Sequence, residues 1–236
     1  MSCFQKNLQA VQAQITQSAA TVHRNPATIQ LLAVSKNQPL EAMAAAIKSG
    51  QRVYGENYVQ AGVAKIRYWS AFSDLQPLQW HFIGQLQRNK IRLVATYFDW
   101  VQTIATLAQA EQLSQARAPI QRPPLQVLIQ VNLRSPAVGY GVLPEALIPL
   151  VQAVQPLPNL CLRGLMVLPA PTLDPQHTKA LFGQAQALFQ ALQANYPQFD
   201  TLSMGMSNDL SEAIAAGSTL VRLGTALFGP RLVNRR

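Results

Sequence analysis

Short apolar runs alternate with longer segments of helical periodicity along nearly the whole chain, and this alternation restricts the possible folds more than any other feature. The run LQVLIQV at 125–131 is apolar almost throughout, which is typical of a strand buried on both faces of a parallel sheet. The predicted strands cover residues 31–35, 52–54, 79–83, 100–103, 125–131, 160–166, 201–203 and 220–223. Predicted helices follow every strand but the last, over about residues 39–50, 56–69, 88–96, 107–116, 144–154, 175–196 and 210–216.

A series of strand–helix units predicts an α/β fold with a parallel sheet, and closing eight such units gives a single (β/α)8 TIM-type barrel over residues 1–236. An extra helix precedes the first strand, because apolar residues recur at helical spacing from Leu8 to Val22. The pair Asn25-Pro26 ends that pattern. A doubly wound open sheet is the alternative that the same alternation allows.

The chain has 19 basic and 10 acidic residues, and its net charge of +9 suggests a nucleic-acid or membrane-surface partner. The basic residues form no stripe, however, since the densest groups lie apart at 87–92 and 231–236. We therefore expect no specific nucleic-acid binding, although a phosphate ligand would suit the charge. The sequence also predicts no membrane span and no signal peptide. Cys3 and Cys161 fit no metal-ligand spacing, so we expect no metal site and a reducing, cytoplasmic location.

The ends of the predicted strands deliver the residues that can carry chemistry, because TIM-type barrels bind ligands at the carboxyl ends of their strands. Lys36 follows the first strand directly. Desolvation favours the neutral amine that forms a Schiff base, whereas a lysine that simply reaches into solvent is the plainer interpretation. Glu56 suits the first turn of the next helix as a cap, Gly55 permits a sharp turn before it, and Asn57 can reach the mouth of the barrel.

Two residues of the inner strands have both a structural and a functional interpretation. His81 lies in the third strand, where a lone histidine is more often a satisfied core residue than a ligand contact. Met166 ends the sixth strand and is either core packing or a thioether that packs on a flat ring. No second histidine stands at metal spacing from His81, which again argues against a metal.

The loops after strands seven and eight have the composition of a phosphate site. Ser203 and Ser207 belong to SMGMSND, and Arg222, Gly224 and Thr225 belong to RLGT. Small residues let backbone N–H groups approach an anion, and barrels often bind phosphate in these two loops. Ordinary helix capping is the alternative. An amine at Lys36 and a phosphate site would together supply both ends of one ligand.

Several long motifs occur in the order found in one known family. They are LAVSK at 32–36, YGENYVQ at 54–60, WHFIGQLQRNK at 80–90, RGLMVLP at 163–169, MGMSND at 204–209 and VRLGTALFG at 221–229. Over nearly its whole length the chain resembles the pyridoxal phosphate homeostasis proteins of the YggS/PROSC type.

The resemblance implies a fold-type-III barrel for pyridoxal 5'-phosphate (PLP), like the N-terminal domain of alanine racemase. It implies that Lys36 forms the Schiff base and that Arg222 faces the pyridine nitrogen. Further PLP-binding residues by the same analogy are Asn57, His81 and Met166 around the ring, and Gly224, Thr225 and one or both of Ser203 and Ser207 around the phosphate.

Three positions depart from the family pattern. Gln38 stands where a lysine is often found, Gln85 replaces the proline of Gly-Pro-Leu-Gln, and the loop at 135–141 lacks the usual lysine before its glycine. These departures concern only a transfer of PLP that would use the extra lysines.

We expect a PLP-binding protein of intracellular PLP homeostasis that has no catalytic activity. An arginine at the ring nitrogen can only donate hydrogen bonds, which disfavours carbanion chemistry. Racemases of this fold also take one acid/base group from a second domain, whereas this chain ends about a dozen residues after the eighth strand. The alternatives are a weak PLP-dependent amino-acid racemase, in which Tyr54, Tyr58 or Tyr140 substitutes, a cofactor-free Schiff-base aldolase and a basic nucleic-acid-binding module. PLP-dependent apo-enzymes are the candidate partners of a monomer.

Overall fold

Eight parallel strands form a closed barrel in the computed structural model, which describes residues 2–134, 139–169 and 174–229. The strands are β1 Gln30–Val34, β2 Val53–Glu56, β3 Gln79–Phe82, β4 Trp100–Ile104, β5 Leu125–Val131, β6 Leu160–Val167, β7 Thr201–Ser203 and β8 Leu220–Leu223. Each strand pairs with the next, and β1 pairs with β8 from Gln30↔Leu220 to Ala33↔Leu223. The predicted TIM-type barrel is therefore confirmed, and the open sheet is excluded.

Helices pack on the outside of the barrel, one before β1 and one after each strand. They are α1 Cys3–Ala20, α2 Leu40–Lys48, α3 Val59–Ser70, α4 Ile91–Tyr97, α5 Leu107–Arg117, α6 Pro144–Val154, α7 Pro175–Gln193, α8 Leu210–Ala215 and α9 Thr225–Phe228. Short 3-10 turns occupy Pro26–Thr28 and Arg88–Lys90. No helix in the described ranges is both long and apolar enough to cross a bilayer.

Side chains of successive strand residues point alternately to the helices and to the barrel interior. Ala33 and Tyr54 belong to the outer core that packs against the helices, whereas Leu32 and Val34 pack with Leu220 inside the barrel. This alternation determines which residues reach the mouth of the barrel after each strand ends.

The predicted N-terminal helix is confirmed as α1, whose buried stripe packs against α2, α8 and α9. Its Ser2 side chain accepts a hydrogen bond from the Gln5 amide, which caps the helix start. Asn7 donates to the Leu227 carbonyl oxygen at 2.9 Å, and Arg24 donates to the Ile214 carbonyl oxygen at 2.6 Å. The helix therefore supports α8 and α9, the two elements that follow the loops after β7 and β8.

Three details of the prediction were wrong. The helix predicted from residue 56 begins only at Val59, because Glu56 completes β2. Gly55 therefore lies within the strand, where an added Cβ would meet the Leu32 side chain at 2.3 Å, so close packing and not a turn requires glycine there. Helix α9 was not predicted, since four residues are too few to show a helical period. The family departures at 135–138 and the basic residues of the tail from 231 lie outside the described residues.

Candidate functional site

A cavity of about 260 Å³ opens at the carboxyl ends of the strands. Its walls are formed by Val34, Lys36, Gln38, Asn57, Ile83, Met166, Leu168, Met206, Ser207, Arg222, Gly224 and Thr225. Most of the residues singled out from the sequence are thus brought together here from five different strands or the loops that follow them. His81 and Ser203 are not among the lining residues.

The alternation of strand residues explains why Lys36 and Asn57 meet at this cavity. Val34 pairs with Gly55 in the last rungs of the β1–β2 ladder, and both residues face the interior. Lys36 and Asn57 follow two positions later on the same face. Asn57 Oδ1 is buried and has no hydrogen-bond partner among the described residues. The cavity wall therefore includes both an amine and an unsatisfied acceptor.

Close approach of two loops holds Asn57 in place. A Cβ built on Gly84 would lie 2.0 Å from the Asn57 carbonyl oxygen, which no side chain can tolerate. Thr103 donates to the Gly84 carbonyl oxygen at 2.7 Å and fixes this loop against β4. Glycine at position 84 is thus required for the geometry of the cavity wall.

Arg222 forms the floor of the cavity and is only 4% exposed. One terminal nitrogen donates to Ser203 Oγ at 2.7 Å, and the other donates to the Val167 carbonyl oxygen at 2.9 Å. Burial lowers the pKa of Arg222 to about 10, and the charge of Asp209 opposes this shift. The guanidinium therefore stays charged at neutral pH and presents donors only.

A chain of buried hydrogen bonds runs from Arg222 across the barrel interior. Because Arg222 can only donate, the Ser203 oxygen accepts from it, and the Ser203 hydroxyl donates to Gln102 Oε1 at 2.7 Å. Gln102 Nε2 lies 2.8 Å from His81 Nδ1, and His81 Nε2 lies 3.2 Å from Gln79 Oε1. In this direction each member donates to the next, which makes Nε2 the protonated nitrogen of His81.

His81 lies one layer below the cavity, since Gly55, two residues before Asn57, pairs with it in the β2–β3 ladder. Its ring stacks on Trp100 with a centroid distance of 4.9 Å and an interplanar angle of 8°. Burial lowers the pKa of His81 to about 3, so the imidazole is neutral at physiological pH. The predicted roles of His81 at the ring and Ser203 at the phosphate stay predictions, while both residues have buried polar partners in this structure.

The loops after β7 and β8 border the opposite side of the cavity. Gly205 has a φ of +98°, and an added Cβ would meet the Ala213 Cβ at 2.6 Å, so both its conformation and its packing require glycine. Gly224 precedes α9, and a Cβ there would lie 3.3 Å from the Val34 carbonyl oxygen. Small residues at these positions leave room for an anion beside the backbone and the hydroxyls of Ser207 and Thr225.

Asp209 points away from this space. Its Oδ1 accepts from the Met206 amide at 2.5 Å, and the side chain is mostly buried against its own loop. Burial raises the pKa of Asp209, whereas the bond from Met206 and the charge of Arg222 lower it. The carboxyl group therefore orders the loop after β7 and does not line the cavity.

A buried ion pair behind the cavity was missed by sequence reasoning. Glu56, expected to cap a helix, is fully buried and bonds Lys65 Nζ at 2.6 Å and Ser35 Oγ at 2.7 Å. The signal was present in α3, where Lys65 lies within the buried stripe formed by Val63 and Ile66. A lysine on the apolar face of a helix requires a partner, and the outward-facing Glu56 is the acid in reach.

A model of the family described as "Alanine racemase, N-terminal domain" matches residues 6–231. The "Pyridoxal phosphate homeostasis protein" of Vibrio cholerae is 50% identical over 235 residues, covering 100% of this chain and 99% of that protein. The protein of the same description from Escherichia coli K12 is 48% identical and covers 98% of each chain. The structure of PipY from Synechococcus elongatus PCC7942 with PLP bound has a TM-score of 0.79 and 38% identity, covering 91% of this chain and 100% of that one.

Proposed function

The chain belongs to the alanine racemase N-terminal domain family and, within it, to the pyridoxal phosphate homeostasis proteins, and on this premise we propose that it binds PLP and takes part in intracellular PLP homeostasis. The observation that carries the proposal is the single cavity that brings the amine of Lys36, the guanidinium of Arg222 and the small-residue loops after β7 and β8 together. A relative of 38% identity has been solved with PLP bound, which supports this cofactor.

The residues of the cavity fit PLP by three independent features. The buried and unpartnered Asn57 Oδ1 matches a ligand that carries a polar ring substituent. Met166 belongs to the cavity wall, where its thioether can pack on a flat ring. The Gly224 region leaves the backbone open to a phosphate, for which the net charge of +9 is also favourable.

Covalent attachment is the proposed role of Lys36. PLP supplies an aldehyde and a ring that can accept electrons from a bound amine. The Lys36 amine would hold PLP through the aldehyde, as a Schiff base formed with loss of one water. The loops after β7 and β8 hold the phosphate end, with Ser207, Gly224 and Thr225 as the proposed contacts.

Arg222 disfavours strong carbanion chemistry at this site. Its guanidinium has only N–H donors, so it cannot accept a hydrogen bond from a protonated ring nitrogen. A ring nitrogen that faces it stays unprotonated and withdraws electrons weakly. We therefore propose a carrier that limits free PLP aldehyde and supplies PLP-dependent apo-enzymes, acting as a monomer in the cytoplasm.

Tyrosines that would support racemase activity lie away from the cavity walls. Tyr54 donates to the Gln51 carbonyl oxygen at 3.2 Å on the outer face of β2, and burial raises its pKa. Tyr140 accepts from Gln109 Nε2 at 2.6 Å, and Tyr58 is 58% exposed. None of the three is among the lining residues, so no tyrosine considered for this role reaches the described part of the cavity.

Absorbance spectroscopy tests the proposal. Purified protein mixed with PLP should show a visible Schiff-base band that Lys36→Ala abolishes, and no loss of optical rotation from single L-amino acids. A wild-type protein that does not take up PLP would refute the proposal. Lys36-dependent racemization of an amino acid would instead establish the alternative, a PLP-dependent racemase.

A further inference from the structure

An ion pair between Glu56 and Lys65 lies directly behind the wall that carries Lys36. Glu56 is the last residue of β2, Lys65 belongs to α3, and Nζ and Oε1 are 2.6 Å apart. The Glu56 side chain is fully buried and that of Lys65 is 10% exposed, whereas the Arg122–Asp99 and Arg163–Asp200 pairs are at least a quarter exposed.

The pair bonds the hydroxyl and the carbonyl oxygen of Ser35, the residue that precedes Lys36. The Ser35 amide donates to the Gly55 carbonyl oxygen at 3.0 Å, as part of the β1–β2 connection. The Ser35 hydroxyl donates to Glu56 Oε1 at 2.7 Å, and its carbonyl oxygen accepts from Lys65 Nζ at 2.6 Å. Both halves of the ion pair are therefore bonded to the same residue of the first strand end.

Lys36 follows Ser35 directly and lies beyond the last residue of β1 that is paired with β2. The last rung of the β1–β2 pairing is Val34↔Gly55, two positions before Lys36 and Asn57. Asn37, the next residue, has a φ of +59°, a left-handed conformation within the turn at 36–37. The position of the Lys36 backbone consequently depends on how firmly Ser35 is held.

Stability alone does not account for this arrangement. Taking two charges out of water costs several kcal/mol per ion, and a well-packed apolar pair is often equally or more stable. Glu56 Oε2 adds to the cost, since it is buried and has no hydrogen-bond partner among the described residues. The buried neighbours of Lys65 on the same helix, Val63 and Ile66, are apolar.

We propose that Glu56 and Lys65 are positioning residues for the PLP site, which rests on the function proposed above. The pair joins the ends of β1 and β2 to α3 on the outer face, and thereby aims the next residues of each strand, Lys36 and Asn57, into the cavity. Its expected contribution is to the attachment of PLP and not only to the fold.

The variant Lys65→Met tests this proposal, with Arg122→Met as the matched control. Arg122→Met also breaks one ion pair, that with Asp99 before β4 at the opposite end of the barrel. After circular dichroism confirms that the variants are folded, the visible band is followed in time after PLP is added to apo-protein. We expect attachment to Lys36 to be roughly tenfold to hundredfold slower in Lys65→Met, because displacements of about 1 Å have effects of this size. The control should match the wild type.

A second variant and a second readout keep the outcome decisive. Ser35→Ala removes only the hydroxyl bond to Glu56, so it should slow attachment in the same direction by a smaller factor. Acetylation of Lys36 by acetic anhydride, located by mass mapping, needs no PLP and should be faster in Lys65→Met than in Arg122→Met, because Lys36 is less firmly held. If wild-type protein took up no PLP, the proposed function would fail and the acetylation rates would still decide the role of the pair. The inference would be overturned if Lys65→Met and Arg122→Met had the same attachment rate and the same acetylation rate. If Lys65→Met did not fold, an attachment rate in Ser35→Ala equal to that of the wild type would overturn it.

Discussion

Replacing Gln102 by leucine should break the buried hydrogen-bond chain at its centre. Gln102 accepts from the Ser203 hydroxyl and donates to His81 Nδ1, and all three side chains are fully buried. Leucine has nearly the same size but neither amide group. The Ser203 hydroxyl then loses its acceptor and His81 loses its donor, in a place that water does not reach.

The cost follows from those two groups. A buried polar group left without a partner costs about 1–3 kcal/mol, so Gln102→Leu should lower the free energy of unfolding by about 2–6 kcal/mol. If the Gln102 amide satisfies His81 Nδ1, adding His81→Phe to Gln102→Leu should recover part of the lost free energy of unfolding. Phenylalanine keeps a ring stacked on Trp100 and has no nitrogen that needs a partner. The coupling between the two positions should be about 0.5–3 kcal/mol.

Urea unfolding of the apo-protein, followed by circular dichroism and tryptophan fluorescence, measures both quantities. The four proteins of the double-mutant cycle should unfold with similar slopes, which keeps the comparison of free energies valid. If the losses of Gln102→Leu and His81→Phe simply added, the two side chains would not form one connected chain. A loss below about 1 kcal/mol for Gln102→Leu would contradict the satisfied network itself.

Three further outcomes follow from the site. Burial lowers the pKa of His81 from 6.5 to about 3, so between these pH values the unfolded chain binds a proton that the folded chain does not; as pH falls through this window, wild-type unfolding free energy in urea should fall more steeply than that of His81→Phe, by up to about 1.4 kcal/mol per pH unit. Gly84→Ala should lower the free energy of unfolding by about 1–3 kcal/mol or more, because the added Cβ overpacks against the Asn57 carbonyl. Gly183→Ala in α7, where a Cβ meets nothing within 4 Å, should raise it by about 0.5–1 kcal/mol, and urea unfolding measures both changes. Arg222→Met should weaken PLP retention in equilibrium dialysis about tenfold or more, since bonds from a charged donor contribute about 1.5–3 kcal/mol; unchanged retention would remove Arg222 from the site.

The barrel could be predicted because its evidence is local. Each buried strand is a short apolar run, each helix shows a buried stripe, and parallel strands in series leave few ways to close. The cavity could be predicted almost as well, since residues such as Lys36 and Arg222 stand at strand ends, and those ends meet in any such barrel. A four-residue helix such as α9 gives no comparable pattern.

Contacts between distant residues could not be predicted in the same way. Ser203 and Gln102 are 101 positions apart, and nothing near either residue in sequence indicates that they share a hydrogen bond. Glu56 was given a capping role because a carboxylate near a helix start is common. Its true partner, Lys65, shows itself only when the facing of β2 and the buried stripe of α3 are considered together.

Reduction of the PLP-loaded protein with borohydride tests the central proposal most directly. Borohydride converts the C=N bond into a stable amine, and mass mapping of a digest then identifies the modified residue. We expect one PLP adduct per chain, located on Lys36, with no adduct in Lys36→Ala. An adduct on another lysine, or an unmodified wild-type protein, would contradict the proposed role of Lys36 and of the cavity around it.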